Sequence, residues 1–98
     1  MSYDVFLEIG NEHKTETING YKAEVIEHKY VLVGRGDYEE IEEVINIYED
    51  CQTKGWITFR DLVNSAKEGY GLAQEILENI KHYGFNFNED DVLEFYIV

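Results

Sequence analysis

The dipeptide Asn19-Gly20 constrains the fold of this chain more than any other short feature of its sequence. It lies between two runs typical of strands, Lys14 to Ile18 and Tyr21 to Ile26. Asn-Gly tolerates positive φ at both central positions of a two-residue turn, which makes it the strongest short signal for a β-hairpin. We therefore expect the chain to begin as antiparallel β-structure.

The flanking residues extend this β pattern. Residues alternate from Tyr3 to Ile9 as in a strand with one apolar face and one mixed face. The residues from Gly10 to His13 have turn chemistry and predict a break after that strand. Lys29 to Val33 continues the strand character, either within one long bent strand or as a separate strand.

Three helices are predicted in the second half of the chain. The first begins after Asp37, which acts as N-cap with an acidic residue three positions later, and continues to Lys54-Gly55. Its apolar face comprises Tyr38, Ile41, Val44, Ile45 and Tyr48. Thr58 caps a second helix over Phe59 to Lys67, and a third extends over Leu72 to Tyr83.

The β-branched and aromatic residues from Val92 to Val98 predict a closing strand. The expected order is therefore βββαααβ. We expect one α+β domain over residues 1–98, with an antiparallel sheet of about four strands covered by about three helices. The closing strand is expected to pair with the N-terminal hairpin, because it would otherwise leave a hydrophobic edge.

The charge balance is the main functional signal. Eight Lys and Arg oppose 21 Asp and Glu, a formal net charge of −13 on 98 residues. Solubility of a small domain needs a magnitude of only about 2–8, and a larger charge destabilises the compact state by self-repulsion. Such a surface repels nucleic acid, anionic lipid and acidic substrates, so a basic partner is the consistent interpretation.

Acidic residues concentrate in a window of 14 residues that contains no Lys or Arg. On a helix, carboxylates four residues apart are about 6 Å apart along the axis, comparable to the spacing of phosphates on a nucleic-acid strand. A second acidic group lies near the C-terminus. The residues predicted to bind a partner are Asp37, Glu39, Glu40, Glu42, Glu43, Glu49, Asp50, Glu89, Asp90 and Asp91.

Two alternatives remain open for these residues and their neighbours. An acidic helix face is often only a solvated surface that keeps a protein in solution. Tyr38, Tyr48, Tyr70 and Tyr96 flank acids and fit either half-exposed interface anchors or core residues.

No pattern of catalytic, cofactor-binding or metal-ligating residues is present, so we expect neither an enzyme nor a cofactor. The three histidines lack ligand spacing, and Glu89, Asp90 and Asp91 lack the alternating ligands of a calcium loop. A single cysteine, Cys51, cannot form an internal disulfide. Without a long apolar segment or a secretory signal, a cytoplasmic protein is expected.

The apolar pattern from Ile57 to Phe85 resembles the helix-turn-helix core of winged-helix proteins, with Asn86 to Val98 as the wing. This resemblance implies that the third predicted helix would enter the major groove of DNA. Glu75 and Glu78 lie on the outward side of that helix and disfavour DNA contact, although the same geometry suits protein binding.

In size, charge and architecture the whole chain resembles small acidic phage-encoded inhibitors, such as anti-CRISPR proteins and DNA mimics. It is also similar in kind to nuclease immunity proteins. These resemblances transfer no residue roles. They imply an interaction protein in the host cytoplasm that inhibits a basic nucleic-acid-binding protein, for example a CRISPR nuclease, and that does not itself bind nucleic acid. The alternatives are a nuclease immunity protein and a winged-helix-like regulatory module, and the oligomeric state is left open.

Overall fold

The computed structural model describes all 98 residues and contains one five-stranded antiparallel sheet with three helices. The spatial order of the strands is β2-β1-β5-β4-β3. The elements are β1 (Ser2–Ile18), β2 (Tyr21–Asp37), α1 (Tyr38–Val44), β3 (Asn46–Tyr48), β4 (Cys51–Thr58), α2 (Phe59–Lys67), α3 (Gly71–His82) and β5 (Val92–Ile97).

The predicted hairpin at Asn19-Gly20 is confirmed. Both residues have positive φ, 51° and 84°, as a two-residue turn of this kind requires. The predicted turn at Gly10 to His13 is wrong, because β1 continues without interruption to Ile18. Gly10 instead has a φ of 150° and adjoins a register shift between the two strands, so its conformational freedom serves a β-bulge.

The β1–β2 hairpin extends well beyond the rest of the sheet. Strand β1 pairs with β5 only over Val5 to Leu7, so residues 10–29 form a two-stranded extension that we call the hairpin arm. The arm contributes to the elongated shape of the molecule, which measures 54 × 29 × 21 Å. Cross-strand ion pairs join Lys14 to Glu27 at 2.8 Å and Lys29 to Glu12 at 3.2 Å.

The first predicted helix is much shorter in the structure. Its start is confirmed, because Asp37 and Glu40 form a capping box. Helix α1 ends at Val44, however, and the predicted continuation to Lys54 is wrong. The chain becomes extended at Ile45 and forms the β3–β4 hairpin. The apolar residues at 44, 45, 47 and 48 are β-branched or aromatic and therefore suit a strand as well as a helix.

The other elements follow the sequence pattern closely. Helix α2 has the predicted bounds, and the Thr58 hydroxyl accepts a hydrogen bond from the Asp61 N–H at 3.2 Å. The ends of helix α3 and of strand β5 lie within one residue of their predicted positions. The pairing of β5 with the N-terminal hairpin is confirmed. The order is therefore ββαββααβ, with five strands rather than about four.

The helices cover one face of the sheet. Leu93, Phe95 and Ile97 of β5 point into this core, whereas Glu94 and Tyr96 lie on the opposite face, which we call the outer face. The core contains fifteen buried apolar residues and no buried polar or charged residue. No helix has the length and apolar composition that crossing a membrane requires.

Gly55 of β4 provides a stability test of the β3–β4 hairpin. A Cβ atom at this position would lie 2.5 Å from Cγ2 of Ile45 and 2.8 Å from the backbone oxygen of Asn46. We expect Gly55→Ala to lower the free energy of unfolding by about 1–3 kcal/mol, because the added methyl group overpacks this contact. The measurement is urea denaturation.

Gly71→Ala is the matched control for this test. A Cβ at Gly71 would meet no atom within 4 Å, and the residue begins helix α3. Its stability is expected to stay the same or to rise slightly, because Ala favours the helix over Gly. Equal losses in the two variants would contradict the close-packing explanation.

Candidate functional site

Helix α1 and the turn after β3 bring several of the predicted acidic residues together. Glu39, Glu42 and Glu43 surround one depression on the exposed side of α1. Glu42 also lines an adjoining depression with Glu49. We call Glu39, Glu42, Glu43 and Glu49 the α1 acidic surface, and Asp50 follows it in the same turn. The surface therefore combines residues from a helix and a β-turn, whereas the sequence placed all of them on one helix.

The charge of the α1 acidic surface is not compensated within the protein. None of the ion pairs in the structure involves Glu39, Glu42, Glu43, Glu49 or Asp50. All five residues are exposed. Each carboxylate is therefore available to a cation on another molecule.

Tyr38 fixes α1 against the neighbouring strand. Its hydroxyl donates a hydrogen bond to the backbone oxygen of Gln52 at 2.8 Å. Burial raises the pKa of Tyr38, and the nearby negative charge of Glu42 raises it further. The phenol therefore remains a neutral donor beside the acidic surface.

Two of the predicted residues have local roles at the start of α1. The Asp37 side chain caps the helix and lies 3.7 Å from the N-terminal ammonium group. The Glu40 carboxylate accepts a hydrogen bond from the Asp37 N–H at 3.2 Å. Both carboxylates are already engaged, so they contribute less to an outward-facing site than Glu39 and Glu42.

The C-terminal acidic group lies elsewhere and is partly neutralised. The Arg60 guanidinium is 3.1 Å from the Glu89 carboxylate and 3.0 Å from that of Asp90. The Asp91 carboxylate accepts a hydrogen bond from the Asn88 N–H at 2.8 Å. These contacts hold the segment before β5 against the start of α2.

The two acidic groups are at opposite ends of strand β4. Thr58, at one end, pairs with Val92 next to the C-terminal group, whereas Cys51, at the other end, pairs with Tyr48 next to the acidic turn. An eight-residue strand spans about 25 Å. The structure therefore divides the predicted partner-binding residues into two separate surfaces.

Tyr48 connects the acidic turn to the sheet. Its hydroxyl lies 2.8 Å from each carboxylate oxygen of Glu94, to which it donates. This hydrogen bond raises the pKa of Tyr48 to about 12, with burial as the second cause. Sequence reasoning missed this contact because the two residues are 46 positions apart and Tyr48 was assigned to a helix.

An apolar patch on the outer face is a second surface feature. Phe6, Tyr30, Tyr96 and Val98 line an apolar depression, and the rings of Tyr30 and Tyr96 are 5.7 Å apart. The sequence signal for this patch was the alternation of Tyr96 with buried residues in β5. Its extent depends on the pairing of β1 with β2 and β5, so the local sequence pattern does not predict it.

No group of three or more His, Cys, Asp or Glu side chains is arranged to hold a metal ion. No protein-family model matches the chain, and no curated protein or solved structure is significantly similar to it.

The Tyr48–Glu94 hydrogen bond gives a pH prediction. The pKa of Tyr48 in the folded protein, about 12, is above the ordinary value of 10, so the stabilisation is fully present below pH 10. It is lost as the pH rises from 10 to 12. We expect Tyr48→Phe to be less stable than the wild type at pH 8 by about 1–3 kcal/mol, because it loses a hydrogen bond to a charged group.

The difference in unfolding free energy between wild type and Tyr48→Phe should shrink between pH 10 and 12. Denaturant unfolding at several pH values measures it, and comparison with the variant cancels the titration of the other tyrosines. A difference that is independent of pH over this range would show that the phenol does not titrate as described.

Proposed function

We propose that this protein inhibits a nucleic-acid-binding effector protein by occupying its basic binding surface with the α1 acidic surface. The observation that carries the proposal is the group of exposed carboxylates at Glu39, Glu42, Glu43 and Glu49, none of which has a cationic partner within the protein. Lys and Arg side chains that bind phosphates pair equally well with carboxylates.

The spacing of these carboxylates supports mimicry of a nucleic acid. Glu39 and Glu43 are one helical turn apart, about 6 Å along the axis of α1. Their like charges destabilise the helix slightly, and no basic residue lies in its last turn to favour the helix dipole. Glu39 lies in the first turn of α1, where the helix dipole favours an acid, but Glu42 and Glu43 gain no such stabilisation. Their charges suit binding to a cationic surface.

The partner class follows from the electrostatics. A net charge of −13 attracts a strongly basic protein over long range and repels nucleic acid. A nuclease with a basic channel, such as a CRISPR nuclease or another host-defence nuclease, fits this requirement. We place the interaction in the host cytoplasm. A nuclease immunity protein would use the same surface against a different nuclease, and a panel of purified nucleases separates the two.

Neutralising the α1 acidic surface tests the proposal directly. We expect the triple variant Glu39→Gln, Glu42→Gln, Glu43→Gln to bind a responsive nuclease about tenfold more weakly. Three exposed ion pairs at roughly 0.5 kcal/mol each account for this change. The association rate and its dependence on salt should fall together, as measured by surface plasmon resonance at low and high salt.

The matched control is Glu16→Gln, Glu68→Gln, Glu78→Gln. These three residues are exposed on β1, after α2 and on α3, and the change in net charge is the same. The control should retain nearly all of the affinity. Equal weakening by the two triple variants would show that total charge, rather than the α1 acidic surface, determines binding.

A gel-shift experiment separates the inhibitor from a winged-helix-like regulator. Strand β5 is the central strand of the sheet instead of a wing, and Glu75 and Glu78 are exposed on α3. We expect no retardation of a DNA duplex even at low salt, where electrostatic binding is strongest. A shift at low salt would contradict the inhibitor function.

A further inference from the structure

The free edge of strand β2 is protected along only part of its length. Near the helices, the Asn79 side chain donates a hydrogen bond to the backbone oxygen of Val33 at 2.7 Å. The Tyr83 hydroxyl lies 3.4 Å from the backbone oxygen of Leu32 and donates to it. No side chain forms a hydrogen bond with the backbone of residues 22–30, which we call the open β2 edge.

Unpaired backbone groups alternate along the open β2 edge. The two-residue turn makes Ile18 and Tyr21 a hydrogen-bonded pair, and such pairs alternate with non-hydrogen-bonded pairs along an antiparallel ladder. The even-numbered residues of β2 therefore direct their N–H and C=O groups away from β1. These residues are Lys22, Glu24, Ile26, His28 and Tyr30.

Two registers oppose Lys to Glu along this edge. An axis through Ala23 pairs Lys22 with Glu24 but uses the outward backbone groups of only those two residues before the turn, whereas an axis through His28 uses those of Ile26, His28 and Tyr30. A two-fold axis through His28 places Glu27 of each copy opposite Lys29 of the other, and Ile26 opposite Tyr30. The same axis also places the outward-directed N–H and C=O groups of the two copies opposite each other. Moving the axis by one residue in either direction would oppose Glu27 to Glu27 or Lys29 to Lys29.

The ion pairs of the hairpin arm would continue across the junction between the open β2 edges of two copies. Glu27 already pairs with Lys14, and Lys29 pairs with Glu12, within one chain. Within one chain Glu27 lies directly opposite Glu12, and in the register centred on His28 the Lys29 of the second copy would add a positive charge on the other side of Glu27.

The hairpin arm is also where two copies repel each other least. Residues 10–29 contain three Lys and four Glu, a formal charge of −1, whereas the other 78 residues contain five Lys and Arg and 17 Asp and Glu, or −12. Apolar side chains are exposed along the open β2 edge, where Ile26 is 56% exposed and Tyr30 is 39% exposed. Association would therefore bury apolar area away from the strongly acidic part of the molecule.

We infer that this protein forms a two-fold symmetric homodimer by antiparallel pairing of the open β2 edge about His28. Two copies of the sheet then join into one continuous sheet. The opposite edge of the arm, on β1, carries the polar residues Asn11, His13 and Thr15 at the equivalent outer-face positions. The dimer does not involve the α1 acidic surface, so it is independent of the proposed function.

Sedimentation velocity of the full chain over a series of concentrations tests the dimer. We expect a mass that rises with concentration to twice the 11.5 kDa of one chain. Glu27→Lys alone and Lys29→Glu alone should each sediment as monomers, because each opposes like charges at two positions. An equimolar mixture of the two variants should recover the dimer, since both opposed pairs then have opposite charges.

Glu16→Lys is the control for the charge change. It makes the same substitution in the hairpin arm as Glu27→Lys, but on β1 and away from the junction, so the dimer should persist. Circular dichroism verifies that each variant folds. A monomer at every concentration, dimers in both single variants, or a mixture that stays monomeric would overturn the inference. A monomer that pairs this edge only with a strand of the target nuclease would also overturn it.

The Glu39→Gln, Glu42→Gln, Glu43→Gln variant distinguishes this dimer from the proposed function. It should lose affinity for the nuclease and keep the concentration-dependent mass of the wild type. The single variants at Glu27 and Lys29 should keep the intrinsic affinity of one chain for one nuclease site.

Discussion

The pairing of β5 between β1 and β4 is the interaction on which the rest of the structure depends. It joins the β1–β2 hairpin to the β3–β4 hairpin. Both hairpins precede β5 in the sequence, and they do not pair with each other. An isolated two-stranded hairpin is marginal in water, whereas a sheet of three or more strands with one apolar face can persist. Leu93, Phe95 and Ile97 supply the centre of that face, so the last segment of the chain completes the core.

The position of β5 also determines where the acidic residues lie. Strand β4 pairs with β5 along one edge and with β3 along the other. Residues 46–48 therefore form a strand instead of continuing helix α1. Helix α1 is consequently limited to seven residues. Its exposed carboxylates lie beside a β-turn that carries two further acids, Glu49 and Asp50. The α1 acidic surface is thus a product of tertiary pairing, although every residue in it came from one acidic window.

Local chemistry predicted the elements whose signals are local. The Asn19-Gly20 turn, the capping box at Asp37 and the Thr58 cap each depend on residues within three positions of one another, and the structure confirms all three. The predictions that are wrong concern residues with two possible local structures. Gly10 suits either a turn or a bulge. It forms a bulge because β1 remains paired with the continuous strand β2 on both sides of it.

The same limit applies to the first helix and to the candidate site. Ile45 and Tyr48 fit a helical face, but Ile45 packs closely over Gly55, and Tyr48 donates to Glu94, a residue 46 positions away. The sequence therefore predicted which acids concentrate near α1 and could not predict that Arg60 neutralises part of the C-terminal group. Charge composition is visible in a sequence, whereas charge compensation is a property of the folded chain.

The location of the open β2 edge relative to α1 determines how far apart the proposed dimer would hold its two α1 acidic surfaces. Helix α1 follows β2 directly, and Asp37 lies nine positions after His28, a distance of about 30 Å along the strand. A two-fold axis at His28 therefore places the two α1 acidic surfaces on the order of 60 Å apart. Two sites at that separation would engage separate nuclease molecules or distant parts of one large effector. Because linked sites gain avidity only when the target geometry permits both to bind at once, a compact nuclease would gain none from the dimer, whereas an extended basic channel would.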